Sequence, residues 1–297
     1  MPAFSAYLQA KYALDARSFN RAVWRQLCRS IRHKTTLDIL DVGSGCGAML
    51  RRISLASQAS VLSLTGLDVD SRLLKIAAAD LSSQLQKQGF RQHQGKTLFT
   101  CGNPQRQILL ATAAANAADF IPPKQYDLIT AHAVMDLLPL TEICRRFHAW
   151  LKPGGLFYSS INYDGLTSLF PAYEAAEFEQ QLLTQYDASM ESRHKQNKTG
   201  GALTGRRLLN TLIQTGFKLQ VYGSSDWNIT PLQGRYRDQD ALLLKQLLDW
   251  MRSEGEQAEN INANALQQWY QTRMQQIETG ELGMIVHQLD LLGIKDA

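Results

Sequence analysis

The sequence predicts a doubly wound α/β fold, an open parallel sheet with helices on both faces. Three observations carry that prediction. An apolar strand, Leu37 to Val42, runs into the glycine-rich turn Gly43-Ser44-Gly45-Cys46-Gly47 and a helix beginning near Ala48. A second strand, Val61 to Asp68, ends on an acid about twenty residues beyond that turn, where such sheets place a carboxylate for ribose hydroxyls. Strands then alternate with helices as far as residue 161.

In chain order, residues 3 to 33 read as one helix, with Leu8, Tyr12, Val23, Leu27 and Ile31 at helical spacings. Arg17, Arg21, Arg25 and Arg29 stand four apart and form a basic stripe along it, either a solvated face or a phosphate contact. After the turn come a helix over Ala48 to Ser57, the strand to Asp68, a helix over Arg72 to Gln88 and a third strand over Thr97 to Cys101. An alanine-rich helix, Gln105 to Ala118, follows and is closed by Ile121-Pro122-Pro123. Tyr126 to Ala131 is the fourth strand, Thr141 to Leu151 a helix, and Pro153-Gly154-Gly155 a tight turn into a fifth strand, Leu156 to Ile161.

The remainder is less regular. Leu166 to Arg193 reads as a polar helix, Lys195 to Gly205 as a loop, and Arg206 to Gln214 as a helix closed by Gly216. Phe217 to Tyr222 is the sixth strand, Ser224 to Arg237 a loop, and two helices, Gln239 to Ser253 and Ala263 to Glu278, precede a seventh strand over Met284 to Leu291. No repeat and no linker divides the chain. The expectation is a single domain, with residues 1 to 35 a helical lid, 36 to 161 the cofactor-binding half, and 162 to 205 and 224 to 281 two insertions on the substrate side.

Composition narrows the class. A chain of 297 residues with 44% apolar and 20% charged content can bury a full core without disulfides or a structural metal. Cys28, Cys46, Cys101 and Cys144 share no CxxC spacing, which points to reduced thiols in a cytoplasm and to no metal site. The first fifteen residues lack the pattern of a signal peptide, and no window is apolar enough to span a membrane. The net charge is only +4, but residues 1 to 60 hold nine Lys/Arg against three Asp/Glu.

Taken alone, the glycine turn is ambiguous, because Gly43, Gly45 and Ala48 also satisfy a nicotinamide dinucleotide fingerprint. The further glycine at 47 and the acid at 41 separate the two readings. Asp41-Val42-Gly43-Ser44-Gly45-Cys46-Gly47 resembles the first motif of the class I S-adenosylmethionine-dependent methyltransferases, an acid followed by GxGxG. Further matches follow in order: Leu67-Asp68-Val69-Asp70, Cys101-Gly102-Asn103-Pro104, Tyr126-Asp127-Leu128-Ile129-Thr130 and Leu151-Lys152-Pro153-Gly154-Gly155. The resemblance implies a seven-stranded sheet with its last strand antiparallel, S-adenosylmethionine as cofactor, and transfer of its methyl group. It also implies a cofactor set of Asp41, Gly43, Ser44, Gly45, Gly47, Asp68, Val69, Gly102, Asn103 and Ala131. Asn103 departs from the family's usual Asp; its side-chain oxygen can accept from an adenine amino group but brings no charge.

Candidate catalytic groups should follow the fourth and fifth strands. His132 is placed to act as a base, or as a wall. Tyr163 and Asp164 are placed to touch substrate, with Asp164-Gly165 equally a turn dipeptide. His194 reads as a surface-loop residue and His287 as structural, while Asp226-Trp227 sets an aromatic beside an acid, a pair suited to a cation or to packing. The three lid segments favour a small or medium metabolite as acceptor, through nitrogen or oxygen. Against nucleic acid, Ala131-His132-Ala133-Val134 differs from the Asn/Asp-Pro-Pro-Tyr of enzymes that methylate exocyclic base amines; for RNA stands the arginine stripe. A cofactor-binding protein without catalysis, acting through partners, is the reading from another class. Oligomeric state is open.

Overall fold

The computed structural model describes residues 2–93, 97–102, 106–192 and 199–296. Its strands are β1 (Thr36–Val42), β2 (Val61–Asp68), β3 (Arg91–Gln92), β4 (Leu98–Cys101), β5 (Arg106–Ala114), β6 (Tyr126–His132), β7 (Leu151–Phe170), β8 (Phe217–Ser224), β9 (Trp227–Ile229) and β10 (Gly283–Lys295). The helices are α1 (Pro2–Ser18), α2 (Arg21–Ile31), α3 (Ala48–Ala56), α4 (Ser71–Lys87), α5 (Leu140–Trp150), α6 (Ala176–Ser192), α7 (Thr204–Gln214), α8 (Asp240–Glu256) and α9 (Ala263–Glu278). The strands form one sheet in the order β3-β4-β5-β2-β1-β6-β7-β10-β8, with β9 pairing β10. From β5 to β7 every pairing is parallel, and β10 is antiparallel to both its neighbours. The doubly wound sheet with an antiparallel final strand is thus present.

Apolar residues cover both faces of this sheet, as a parallel sheet requires. One layer joins Val23, Leu27 and Ile31 of α2 to Met49, Leu50 and Ile53 of α3 and to Leu81 and Leu85 of α4. The opposite layer joins Ile143 and Phe147 of α5 to Leu208 and Leu212 of α7. Among the described residues no helix is long and apolar enough to cross a membrane.

Three sequence expectations are corrected. Residues 3 to 33 are two helices, because the Asn20 side chain accepts from Ala22 N and Val23 N and starts α2 as an N-cap. The arginine stripe is therefore split: Arg21, Arg25 and Arg29 are exposed on α2, while Arg17 of α1 bridges to Asp240 of α8. The alanine-rich stretch from residue 105 is strand β5, paired residue for residue with β2 from Gln107 to Ala114. Within it Ile108 and Leu110 are buried while Leu109 and Ala111 face out, so pairing overrides alanine's helical preference. Thr97 to Cys101 supplies instead an antiparallel edge strand, β4.

The third correction concerns the insertion after residue 161. The fifth strand does not stop there but runs on to Phe170, and helix begins only at Ala176. The far half of β7 pairs with Gly283 to Val286 of β10, which also pair with β9. A β-arm thus extends the sheet beyond its parallel strands. At its root, the ladder has bulges at Val286/Gln288 and Leu289/Leu291, and Ile161 takes a positive φ of 58°. The buried Asp290 carboxylate accepts from Ile161 N and from Asn20 N, both at 2.8 Å, fixing that kink and the start of α2 together.

Candidate active site

A cavity of about 1360 Å³ lies outside the carboxyl ends of β1, β2, β5 and β6, where open α/β sheets take their ligands. One end is the glycine turn. Gly43, Gly45 and Gly47 all have positive φ, at 65°, 50° and 75°, but their surroundings differ. A Cβ on Gly43 would lie 2.4 Å from Val134 Cγ2, and one on Gly47 2.8 Å from the Cβ of Ala77 in α4. Those two glycines serve packing. Gly43 and Gly45 both line the cavity, but of the three it is Gly45 whose built Cβ meets open space, its nearest neighbour being Leu8 at 3.6 Å.

The turn is held from below. Buried Asp41 accepts from Ser44 Oγ at 2.8 Å and from Thr130 Oγ1 at 2.7 Å, so it acts on the turn's shape and does not reach the cavity wall. Burial pushes its pKa up to about 6, against the opposing pull of the two hydroxyl donors. Asp68, at the end of β2, faces the cavity and accepts from Gly45 N at 2.8 Å and from Asp70 N at 2.9 Å. Each carboxylate oxygen keeps a further lone pair for a ligand hydroxyl. Val69, exposed at 72%, stands on the cavity rim, and Ala131 is buried in the sheet opposite Ser159, behind the wall.

Gly102 is misplaced in the sequence reading. It lies exposed in the turn between β4 and β5, at the start of β5 and so at the opposite end from the cavity; Asn103 lies outside the described residues. Because β5 is the true neighbour of β2, the wall that follows it is Ala115 to Ala118, anchored by Ala115 N donating to Asp68 O at 3.0 Å. The strand expected as a helix is what carries Gly102 to the far end of β5.

The other end is a chamber. Its floor is Ile161, Tyr163 and Thr167 of β7, Trp227 of β9 and Met284, Val286 and Gln288 of β10; its roof is Tyr7, Leu8, Lys11, Tyr12 and Asp15 of α1, with Tyr186 and Met190 of α6 and Trp250, Met251 and Glu254 of α8. Asp15, which the sequence reading passed over, is the hub. Its carboxylate takes an ion pair from Lys11, a bond from Trp227 Nε1 at 2.9 Å and one from His132 Nε2 at 2.9 Å. Burial alone would raise the Asp15 pKa, but the Lys11 charge and the hydrogen bonds from His132 and Lys11 bring it to about 2. An acid four residues from a lysine on an apolar helix was the available signal.

His132 has no free ring nitrogen. Nδ1 lies 3.0 Å from Ser160 Oγ and Nε2 is engaged by Asp15. Burial and then the Lys11 charge lower its pKa, so the ring is neutral, with Nε2–H donating to Asp15 and Nδ1 accepting from Ser160. Tyr163 likewise donates its hydroxyl to Asp187 Oδ1 at 2.7 Å, and burial pushes its phenol pKa far up. Asp164 points away from the cavity, capping α7 through Arg206 N at 2.8 Å and pairing with the Arg206 guanidinium. Asp226 and Trp227 point to opposite faces: Trp227 reaches Asp15, while Asp226 meets His287 Nδ1 at 2.8 Å. His194 lies outside the described residues. Among the described residues no group of His, Cys, Asp and Glu is arranged to hold a metal ion.

Residues 40–157 match the family model described as a methyltransferase domain. Among solved structures, the chain is similar to a candidate methyltransferase of Bacillus halodurans C-125, at 14% identity over 92% of this chain and 98% of that one, with a TM-score of 0.53. It is also similar to phosphoethanolamine N-methyltransferase 2 of Haemonchus contortus, solved with phosphomonomethylethanolamine and S-adenosylhomocysteine, at 15% identity over 92% and 53% of the two chains, with a TM-score of 0.43. No curated protein sequence matches. The family match over residues 40–157, and a sheet whose turn and strand-end acid stand where the motif requires, give the chain a methyltransferase-like domain and fold.

Proposed function

We propose that the chain methylates a small or medium-sized molecule inside the chamber roofed by α1, α6 and α8. The size of the cavity carries this reading. Pockets for one small ligand run to about 1,000 Å³, and about 1360 Å³ leaves room for a cofactor and an acceptor together. In this reading Gly43, Ser44, Gly45, Asp68, Val69 and the Ala115–Ala118 wall hold the cofactor, and Gly47, Asp41 and Ala131 shape that wall from behind. S-adenosylmethionine, when bound, supplies a methyl group made electrophilic by its sulfonium.

The chain's own part is positioning and exclusion of water. His132 and Tyr163 stand on the chamber wall with their polar atoms committed to Asp15, Ser160 and Asp187, which suits orienting walls and not bases. No arginine of α2 faces the cavity, so nothing in the site favours RNA.

The test is transfer of labelled methyl from S-adenosylmethionine to a metabolite extract and, separately, to RNA, with S-adenosylhomocysteine binding measured by calorimetry. Label in metabolites below about 1 kDa, the size such a pocket admits, is expected. Label in RNA, or tight cofactor binding with no transfer to either pool, would replace this reading by one of its alternatives.

A further inference from the structure

The polar side chains that meet at the chamber floor are spoken for: Asp15 from the roof, His132, Tyr163, Thr167 and Trp227 bond one another or a neighbour. Gln288 is the exception. It is 3% exposed, stands on β10 directly opposite Tyr163 of β7, lines the chamber, and its Oε1 has no hydrogen-bond partner. A buried carbonyl oxygen without a donor has lost its water and gained nothing in return, which destabilises the folded protein. It is relieved when a ligand brings an N–H or O–H.

Two further observations choose between those donors. The chain carries a net charge of +4, yet among the described residues the cavity wall holds Asp15, Asp68, Asp70, Asp136, Glu142 and Glu254 against Lys11 and Arg51, with Asp15 paired to Lys11, Asp70 to Arg72 and Glu142 to Arg146. Around the chamber stand Tyr7, Tyr12, Trp227 and Trp250, with Tyr7 and Trp250 packed edge to face at 4.8 Å. Acidic and aromatic walls favour positive charge. The second observation is His132, whose two nitrogens are both engaged, so the obvious base is not available to strip a hydroxyl.

We propose that the methyl acceptor is a primary or secondary amine, bound as the free base with one N–H donated to Gln288 Oε1. This rests on the small-molecule reading above. The nitrogen lone pair forms the new N–C bond as the C–S bond breaks, and the bonding pair goes to sulfur, leaving a neutral thioether. The nitrogen becomes an alkylammonium that keeps its proton until it reaches water, so the transfer needs no base. Positive charge moves from sulfur to nitrogen during the step, into the part of the cavity walled by Tyr7, Trp227 and Trp250, which favours the transition state over the ground state.

The experiment splits a metabolite extract on a cation exchanger into a retained amine fraction and a flow-through, and gives each to the full chain with methyl-labelled S-adenosylmethionine. The amine fraction takes label on nitrogen, identified by mass spectrometry and NMR. On that acceptor Gln288→Leu lowers kcat/KM by about tenfold or more, chiefly through KM, while Gln288→Glu, which keeps acceptor oxygens, stays within about threefold of the native chain. S-adenosylhomocysteine affinity is unchanged in both variants, which also shows that they fold. Label confined to the flow-through, label in neither fraction, or a Leu variant as fast as the native chain overturns the amine assignment. Failure of the native chain to bind S-adenosylhomocysteine would instead remove the cofactor site, and this inference with it.

Discussion

Gly45 and Gly47, two residues apart and alike in backbone, should fail differently when given a side chain. Gly47→Ala meets left-handed strain of about 1–2 kcal/mol and an overpacked contact with Ala77. It should lose about 3 kcal/mol in urea unfolding. Gly45→Ala meets the strain alone and should keep most of its stability, yet bind S-adenosylhomocysteine about tenfold or more weakly, because its methyl stands in ligand space. Calorimetry and unfolding on the two variants separate these outcomes. Asp41 gives a pH signature. Its pKa near 6 in the folded chain, against 3.8 unfolded, means that the folded state holds a proton the unfolded state has released between about pH 4 and 6. Stability from this group is therefore full below that window and is lost as pH rises through it, on the order of 3 kcal/mol at about 1.4 kcal/mol per unit. Asp41→Asn should gain on the native chain by that order between pH 4 and 7; a difference that ignores pH would remove the argument. At this scale the glycine turn and Asp68 were legible because their roles follow from local spacing. Gln288 was not, since an orphaned oxygen exists only once β7 and β10 have paired around it.

Among the elements, α1 is fastened to the site through one carboxylate. Asp15→Ala leaves the Lys11 charge, the Trp227 N–H and the His132 N–H without their buried acceptor. Breaking such a pair costs about 3–5 kcal/mol, and exposure of α1 amides by hydrogen exchange should report it. Replacing both charges, Lys11→Met with Asp15→Leu, should recover most of that stability, since apolar pairs of similar volume substitute well for buried ion pairs. If the double variant is as unstable as the single one, the ion pair is not what fastens α1. Elements were legible where periodicity and packing agreed, as in α3, α4 and α5. The reading broke at β5, where alanine's helical preference competes with a sheet partner 40 or more residues away in sequence. It also broke at Asn20, whose capping role is indistinguishable in sequence from a polar residue in mid-helix.

For the molecule as a whole, the doubly wound parallel sheet followed from the rhythm of strands and helices, and the antiparallel last strand from the family resemblance of the motifs. The β-arm did not, because the stretch after residue 161 becomes a strand only by pairing with residues 283 to 286, more than a hundred positions later. The arm, α6, α8 and α1 together line one cavity with the glycine turn, and Leu8 of α1 lies over Gly45 itself. A movement of α1 away from the cavity would have to break the bonds that Asp15 accepts from His132 and Trp227. If release past α1 is slow, turnover is expected to be paced by the opening of that helix, on a timescale of microseconds to milliseconds. Added sucrose or glycerol should slow kcat in proportion to solvent viscosity, and a deuterated methyl donor should change it little. A viscosity-independent kcat with a full isotope effect would place the slow step back at the carbon.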